Sequence, residues 1–160
     1  MSVNNVMTKD VISVHSSDKV KDAWLVMMEA DISGAPVMND AGDFVGILSV
    51  TDINRAILDK VERARALREA TVTSSDPEAA DKEELRELSL AIRAVAESQV
   101  GFVLPKDQKV HSLSPEDSLD RAIHLMAENN INRLPVVHDG KIVGIITRQD
   151  VILVVAGKSK

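Results

Sequence analysis

The chain has no cysteine and very few aromatic residues. Its 160 residues include one tryptophan, two phenylalanines and no tyrosine. The absence of cysteine excludes a disulfide framework, a zinc site with thiolate ligands and a thiol nucleophile. The scarcity of aromatic side chains removes the stacking platforms that hold single-stranded nucleic acids. The core must therefore be built from aliphatic side chains, which is consistent with a hydrophobic content of 44%.

Positive charge is also scarce, because 19 basic residues stand against 25 acidic ones and give a formal net charge of -6. This balance argues against a broad surface for a nucleic-acid backbone, but it does not exclude one local anion site. No apolar run approaches the roughly 20 residues of a membrane span, and the first residues do not resemble a secretory signal. We therefore expect a soluble cytoplasmic protein that binds neither nucleic acid nor membranes.

One segment of the chain occurs twice, at 36–52 and at 135–150. Each copy begins with Pro-Val and continues through a short polar turn that contains glycine. It then reads Val-Gly-Ile, an apolar residue, Ser or Thr, two variable residues and Asp. The similarity extends upstream to Val11 and Val110. A unit that occurs twice with the same polar end predicts two-fold pseudosymmetry and paired sites.

Hydrophobic spacing predicts the same order of elements in both repeats: strand, helix, strand, turn, strand, helix. The predicted strands are 11–14, 35–38 and 44–48 in the first repeat, and 110–113, 134–137 and 141–146 in the second. A helix is predicted over 18–30. Its counterpart is expected to start after Ser114, with this residue as N-cap and Pro115 as the first helical residue.

The region between the repeats has no counterpart in the second repeat. The helix that begins near Thr51 keeps its apolar spacing well beyond the repeat, a loop is predicted over 71–80, and an amphipathic helix is predicted from Lys82 to Ser98. The charges of this region form either a solvated helical face or a protruding hairpin that makes an oligomer contact or touches a regulated protein. We predict a first motif over 1–58, a helical insertion over 59–100 and a second motif over 101–157, in a mixed fold of the α+β or α/β class.

Both repeats end in the same polar pair. Ser49 and Thr147 stand three residues before Asp52 and Asp150, and Thr51 adds a hydroxyl in the first repeat. A carboxylate can accept hydrogen bonds from both hydroxyls of a ribose. The free N–H groups and the positive end of the dipole at the start of a helix favour the binding of an anion. The same residues are also favourable N-cap and first-turn residues of any helix. Their spacing alone leaves both interpretations open.

The sequence contains no Ser-His-Asp arrangement, P-loop or Gly-x-Gly-x-x-Gly pattern, and its four histidines have no metal-ligand spacing. We therefore predict no catalytic residue, no metal site and no catalytic cofactor, and we do not expect an enzyme.

Two tandem units that each end in Gly-apolar-apolar-[Ser/Thr]-x-x-Asp resemble a pair of CBS (cystathionine-β-synthase) domains, also called a Bateman module. The resemblance covers 3–56 and 103–155. Asn5-Val6-Met7-Thr8 resembles the usual start of a first CBS motif, which the second repeat lacks. The resemblance implies two β-α-β-β-α motifs packed sheet to sheet with pseudo-two-fold symmetry. It also implies adenosine-containing ligands, such as AMP, ADP, ATP or S-adenosylmethionine, in the clefts.

The resemblance further implies a regulatory, energy-sensing role, a homodimer and signalling to a separate regulated protein. The alternative is a structural or protein-interaction homodimer whose clefts bind no ligand. The intact Ser/Thr-x-x-Asp pattern in both copies favours ligand binding, whereas the long insertion and Gly34 favour the alternative.

The resemblance assigns residues to two ligand sites. The first site comprises Met7, Ile12, Ser33, Gly34, Ser49, Thr51, Asp52 and Arg133, and the second comprises Val110, His111, Asn132, Thr147 and Asp150. Arg133 is implied to reach the phosphate of the ligand whose ribose binds Asp52, whereas Gly34, at the equivalent place, supplies no charge. We therefore expect the first site to favour phosphorylated ligands and the second to bind more weakly or to take a less anionic ligand.

Overall fold

The structure is a computed structural model that describes residues 1–70 and 77–158. The helices are α1 (Val20–Glu29), α2 (Val50–Glu69), α3 (Pro77–Glu97), α4 (Val100–Val103), α5 (Leu119–Asn129) and α6 (Arg148–Val155). The strands are β1 (Val14–His15), β2 (Gly34–Met38), β3 (Phe44–Ser49), β4 (Arg133–His138) and β5 (Lys141–Thr147), and a 3-10 turn covers Val3–Asn5. This mixture of helices and small sheets confirms the predicted α+β fold.

The strands form two small sheets. One has the order β1-β2-β3, and the other is the antiparallel pair of β4 and β5. In the second sheet Arg133 pairs with Thr147, so the start of β4 lies beside the end of β5. Both predicted hairpins are confirmed, and their turns contain glycines with φ of +77° at Gly42 and +74° at Gly140. Such values suit glycine because it has no Cβ.

The chain divides into two compact units, and unit 1 contains parts of both repeats. Unit 1 comprises Met1–Ser13, Pro36–Gly46 and Asp107–Lys160. Unit 2 comprises Val14–Ala35 and Ile47–Lys106. The core of unit 1 is aliphatic and contains Val3, Met7, Leu113, Ala122, Met126, Leu134, Val136 and Ile146. The buried side chains of unit 2 include Val14, Val20, Ala23, Met27, Leu48, Val95 and Val100.

Two short segments, which we call the leading segments, occupy equivalent positions ahead of α5 and α1. The first is 1–8, in which Val3 N donates a hydrogen bond to Asp117 O at 2.8 Å. The second is 99–104, in which Val100 N donates to Asp18 O at 2.9 Å. The backbone hydrogen bond of Met7 N–H to Val3 O also has a counterpart, from Leu104 N–H to Val100 O, although the second repeat lacks the Asn-Val-Met-Thr side chains.

Several predicted boundaries in the two repeats were wrong. Residues 110–112 form no strand, and Leu113 makes one parallel bridge to Val136. The predicted strand over 11–14 is reduced to Val14–His15. The second-repeat helix starts at Leu119, because Ser118 Oγ accepts a hydrogen bond from the N–H of Arg121 at 3.1 Å and caps it there.

The residues predicted to start that helix form a separate turn. The N–H of Ser114 donates to Asp117 Oδ2 at 2.8 Å, and the N–H of Asp117 donates to Ser114 O at 3.0 Å. This turn pairs the backbone groups of Ser114 and Asp117 and lies outside α5, so Ser114 is not the N-cap of that helix.

The insertion forms a pair of helices in unit 2. As predicted, α2 runs beyond the first repeat. The predicted second helix begins earlier than expected, at Pro77, so 77–80 are helical rather than part of a loop. The remainder of the predicted loop, 71–76, lies outside the described residues. Arg65 pairs with Glu84 between the two helices, and Arg68 Nη1 lies 3.6 Å from Glu87 Oε1.

Candidate functional site

The junction between β3 and α2 is closed by a reciprocal hydrogen-bonded cap. Ser49 Oγ accepts from the N–H of Asp52 at 3.2 Å, and the N–H of Ser49 donates to Asp52 Oδ2 at 2.9 Å. The Ser49 hydroxyl also donates to the same carboxylate oxygen at 2.5 Å. This is a capping box, which satisfies backbone donors that the first turn of a helix cannot pair internally.

The junction between β5 and α6 repeats this arrangement in unit 1. Thr147 Oγ1 accepts from the N–H of Asp150 at 3.3 Å, and the N–H of Thr147 donates to Asp150 Oδ2 at 2.8 Å. The Thr147 hydroxyl donates to the same oxygen at 2.7 Å. The two copies of the sequence motif therefore form the same hydrogen bonds.

The capping interpretation is realised at both junctions. Asp52 is 8% exposed and Asp150 is 3% exposed, so both carboxylates are largely withdrawn from water. The cap uses one oxygen of each, Oδ2. The Oδ1 atom of Asp52 lies 3.4 Å from Arg55 Nη1, a partner that the sequence reasoning missed. Arg55 stands three residues after Asp52 on the same helix, and this spacing could have identified it.

Backbone contacts bring further predicted residues to each junction. In unit 2, the N–H of Val50 donates to Ser33 O at 3.1 Å. In unit 1, the N–H of Arg148 donates to Asn132 O at 2.9 Å. The loops before β2 and β4 are thus tied to the helix starts in the same way.

Gly34 and Arg133 follow these loops, and Gly34 occupies a crowded position. A Cβ on Gly34 would lie 3.1 Å from Leu48 O, so close packing against β3 favours glycine. Unit 2 therefore gathers Ser33, Gly34, Ser49, Thr51 and Asp52, and unit 1 gathers Asn132, Arg133, Thr147 and Asp150.

The other predicted site residues lie in less distinctive surroundings. Met7 is buried in the core of unit 1, where its side chain covers Gly144. Ile12 is 45% exposed, and Val110 and His111 are half-buried residues outside any strand. Their membership in a ligand site stays a prediction.

A cavity of about 240 Å³ borders Asp150 within unit 1. Its wall is formed by the first leading segment, through Asn5 and Val6, and by Leu153 and Val154 of α6. Of these residues only Asp150 was predicted to contact a ligand. Positions 150, 153 and 154 share one face of a helix, and this spacing in the sequence could have identified the side chains that lie beside Asp150.

Neither a metal site nor a membrane span is found in the described part of the chain. Within residues 1–70 and 77–158, no group of three His, Asp or Glu side chains is placed as metal ligands would be. Across the same residues, no helix combines the length and the apolar character needed to cross a bilayer.

The two repeats, with the same strand-to-helix junction in each, match the model of one protein family. The model of the CBS domain family matches residues 3–59 and 104–157, which together make up more than half of the chain. The protein therefore belongs to the CBS domain family and carries two copies of the domain.

Relatives support this membership. Protein MJ1426 of Methanocaldococcus jannaschii is 30% identical over 153 residues, which cover 95% of this chain and 89% of that protein. Other relatives are much longer: the chain spans 41% of protein MJ1225 and 22% of the inosine-5'-monophosphate dehydrogenase of the same organism. The chloroplastic CBSX2 of Arabidopsis thaliana is 30% identical over 141 residues, which cover 87% of this chain and 56% of that protein.

Solved structures share the fold. A structure of CBSX2 in complex with AMP has a TM-score of 0.67 and 24% identity, and the match covers 98% of this chain and 96% of that one. The CBS domain pair of protein MJ0100, solved with 5'-methylthioadenosine and S-adenosyl-L-methionine, has a TM-score of 0.66 and 19% identity. That match covers 98% of this chain and 97% of the other.

Proposed function

We propose that the chain is a regulatory module without catalytic activity, which binds an adenosine-containing ligand and relays its presence to a separate protein. The observation that carries this proposal is the repeated junction, in which Ser49 and Asp52 in one unit and Thr147 and Asp150 in the other have the same geometry. CBS proteins of the same fold in complex with AMP and with S-adenosylmethionine support the choice of ligand class.

The chemistry of the junction suits a nucleoside. Each carboxylate is held in place by its own helix cap, so it needs little reorganisation to accept a hydrogen bond from a ribose hydroxyl. Charge-assisted bonds of this kind are roughly twice as strong as neutral ones. The adjacent helix start carries a partial positive charge, which favours a phosphate.

Relay of the signal requires that the ligand bind one arrangement of the protein more tightly than another. A ligand shifts an equilibrium only by its difference in affinity for the two states. A tenfold preference corresponds to about 1.4 kcal/mol, which is enough to change the population seen by a partner protein.

The sequence predicts that the two sites differ. Arg133 offers a positive charge where the first repeat has Gly34. Removing this charge should therefore weaken the binding of a phosphorylated ligand more than the binding of adenosine. We expect tighter binding of AMP, ADP or ATP at the site served by this arginine, and weaker binding or a less anionic ligand at the other.

The competing function is a protein-interaction module whose clefts hold no ligand. The capping boxes favour it, because each aspartate would be kept for helix stability alone. An Asp→Ala variant then loses the N3 half of a capping box, at a cost of up to about 1 kcal/mol, but has no ligand affinity to lose.

Binding and stability must therefore be measured separately. Isothermal titration calorimetry and thermal shift with AMP, ADP, ATP, S-adenosylmethionine and GTP would be applied to the wild type, Asp52→Ala, Asp150→Ala and Arg133→Ala. Ser118→Ala is the control for capping, because Ser118 caps α5 but belongs to no predicted site. Arg121→Ala is the control for loss of a positive charge, since this exposed arginine lies on α5.

An adenosine ligand at 100 times its Kd should stabilise the protein by about 2.7 kcal/mol. We expect Asp52→Ala or Asp150→Ala to abolish the ligand-induced increment, whereas Ser118→Ala should lower only the starting stability. An absence of binding by every adenosine compound at millimolar concentration would refute the proposal, as would aspartate variants that keep the wild-type affinity.

A further inference from the structure

The cavity of about 240 Å³ in unit 1 lies between the first leading segment and α6. Among the described residues that line it, Asp150 alone belongs to the second ligand site implied by the resemblance, and Asn132 and Thr147 take no part. The cavity therefore connects the carboxylate of Asp150 to a surface that no predicted ligand contact uses.

The wall of the cavity that α6 supplies changes from acidic to apolar to basic along the chain. Asp150 lies in the first turn of the helix, and Leu153 and Val154 follow one turn later. Gly157 and Lys158 come after the end of the helix and complete this wall. Leu153 and Val154 are half-buried, whereas Lys158 is exposed. The cavity thus offers an occupant a negative and a positive charge with an apolar surface between them.

The first leading segment supplies the opposite wall, through Asn5 and Val6. Val6 packs against the core of unit 1. Two backbone hydrogen bonds between Thr8 and Ile145, at 2.8 and 2.9 Å, hold the end of the segment against β5. Both walls are therefore fixed by the fold, as is usual for the sites of small ligands.

Unit 2 shows what an aspartate at this junction pairs with on the helix. Arg55 stands three residues after Asp52, and its Nη1 atom lies 3.4 Å from Asp52 Oδ1. Leu153 stands three residues after Asp150, so the cavity has an aliphatic side chain where unit 2 has a guanidinium. A carboxylate has about four lone-pair sites, so Asp150 can accept from a ligand as well as from its cap.

We propose that the cavity binds a small zwitterion, with an ammonium group and a carboxylate at opposite ends of a short aliphatic chain. The ammonium group donates to Asp150, in the role that Arg55 has beside Asp52. Asp150 is 3% exposed, and a charge-assisted bond at such a site is strong. The carboxylate pairs with Lys158, and the aliphatic chain lies against Leu153.

The size of the cavity and the spacing of its charges favour an ω-amino acid. An engineered cavity of roughly 150 Å³ holds benzene, so about 240 Å³ accommodates a chain of about six carbons. Eight positions separate Asp150 from Lys158, which is more than one helical turn of about 5.4 Å. The two charged groups of an α-amino acid are attached to neighbouring carbons and are therefore closer together than this spacing suits.

Titration of the full chain with 6-aminohexanoate tests the proposal. Calorimetry should show saturable binding with a Kd of about 1 mM or below. In a proton–nitrogen NMR spectrum, the amide signals of Asn5, Val6, Leu153 and Val154 should shift most. Hexylamine lacks the carboxylate and hexanoate lacks the ammonium group, so each should bind at least tenfold more weakly.

Leu153→Arg tests the role of Asp150 without changing the cap. It gives unit 1 the arginine that unit 2 has at position 55, so a guanidinium should take the place of the ligand's ammonium group. The affinity for 6-aminohexanoate should fall at least tenfold. Ile152→Arg is the matched control, because Ile152 is the preceding residue of α6, is 60% exposed and is not a lining residue. Circular dichroism would confirm that both variants are folded.

Lys158→Met tests the other end of the ligand. It should weaken 6-aminohexanoate but not hexylamine, which has no carboxylate to pair. Lys109→Met is the control, since Lys109 is an exposed lysine of unit 1 that does not line the cavity.

Three outcomes would overturn the proposal. The first is an absence of saturable binding at about 10 mM 6-aminohexanoate, ten times the expected upper limit of Kd. The second is a Leu153→Arg variant that keeps the wild-type affinity, and the third is hexylamine that binds as tightly as 6-aminohexanoate.

Titration of the same protein with AMP and S-adenosylmethionine separates this inference from the proposed function, on which it does not depend. A protein that binds an adenosine compound but not 6-aminohexanoate contradicts the inference alone. A protein that binds 6-aminohexanoate but no adenosine compound contradicts the proposed function alone.

Discussion

Val3 and Val100 make the same backbone hydrogen bond in the two halves of the chain. The N–H of Val3 donates to Asp117 O and the N–H of Val100 to Asp18 O, at 2.8 and 2.9 Å. Both side chains are fully buried. The acceptors are also equivalent, because Asp18 Oδ2 accepts from the N–H of His15 at 2.7 Å in the way that Asp117 Oδ2 accepts from the N–H of Ser114.

The first prediction concerns this pair of valines. Val3→Ala and Val100→Ala should each lower the free energy of unfolding by about 1–3 kcal/mol, because each removes buried methyl groups and leaves a cavity. Urea denaturation would measure both changes. Val45→Ala, at an exposed position of β3, is the control and should have little effect. A large difference between the two buried variants would show that the leading segments are not equivalent in energy.

The second prediction concerns Met7 and Gly144. A Cβ at position 144 would overlap Met7 Sδ and come within 2.8 Å of its Cγ and 3.2 Å of its Cβ. Gly144→Ala should therefore cost about 1–3 kcal/mol through overpacking. In a double-mutant cycle with Met7→Ala, part of this cost should disappear, since the obstructing side chain is gone. Strictly additive effects would contradict the contact.

The third prediction concerns pH. Glu97 accepts from Lys19 Nζ at 2.8 Å and from Lys21 Nζ at 2.6 Å, and these two cations lower its pKa from 4.5 to about 2. The carboxylate is harder to protonate in the folded chain than in the unfolded one. Its stabilising effect is therefore present above pH 4.5 and is lost as the pH falls towards 2.

We therefore expect Glu97→Gln to be less stable than the wild type at pH 6, with the difference shrinking between pH 4.5 and pH 2. Thermal unfolding across this range would measure it. All three side chains are exposed, so about 1 M salt should also reduce the difference. A difference that is the same at pH 6 and pH 2 would exclude ionic pairing as its cause.

The fourth prediction concerns Glu87, a buried residue of α3. Its Oε2 atom has no hydrogen-bond partner among the described atoms, and its Oε1 atom lies 3.6 Å from Arg68 Nη1. Buried carboxylates with incomplete pairing are costly. Glu87→Met should raise the free energy of unfolding by about 1 kcal/mol, because it removes a buried oxygen that has no partner within the described chain, whereas the Arg68 side chain is 31% exposed and stays in contact with water. Glu78→Met, at a highly exposed position of α3, is the control, and a marked loss of stability in Glu87→Met would disprove the argument.

The sequence was most informative where side chains dictate the backbone. The turns at Gly42 and Gly140 were predictable, because a positive φ favours glycine and the flanking residues alternate in the manner of strands. The extension of α2 was also predictable from its apolar spacing. The family was predictable because its pattern ends in the same polar residues in both repeats.

The second leading segment could not be predicted in the same way. Val100 and Val103 match Val3 and Val6, but Gly101 and Phe102 stand where the first segment has Asn4 and Asn5. Two shared valines are a weak side-chain signature, and the backbone hydrogen bonds that both segments make leave none. The start of α5 was mispredicted for a related reason. Ser114 and Ser118 are both plausible N-caps, and only the turn closed by Asp117 decides between them.

The candidate site was only partly predictable. Spacing correctly indicated that Ser49 and Thr147 are close to Asp52 and Asp150. It could not distinguish a cap from a ligand contact, because both uses need an oxygen acceptor at the start of a helix. Arg55 and the cavity beside Asp150 depend on how the helices are placed, which the repeat pattern does not encode.

The leading segments have a consequence for the origin of the repeat. The segment that precedes the first repeat in the chain is packed in unit 1 with the helix of the second repeat, and 99–104 are packed in unit 2 with the helix of the first. A single-copy chain with this packing would have a leading segment that does not pack against its own helix. It could have completed each half only by exchanging the segment with another molecule. In the present chain both leading segments belong to one polypeptide, so neither can be diluted away from the helix that it packs against.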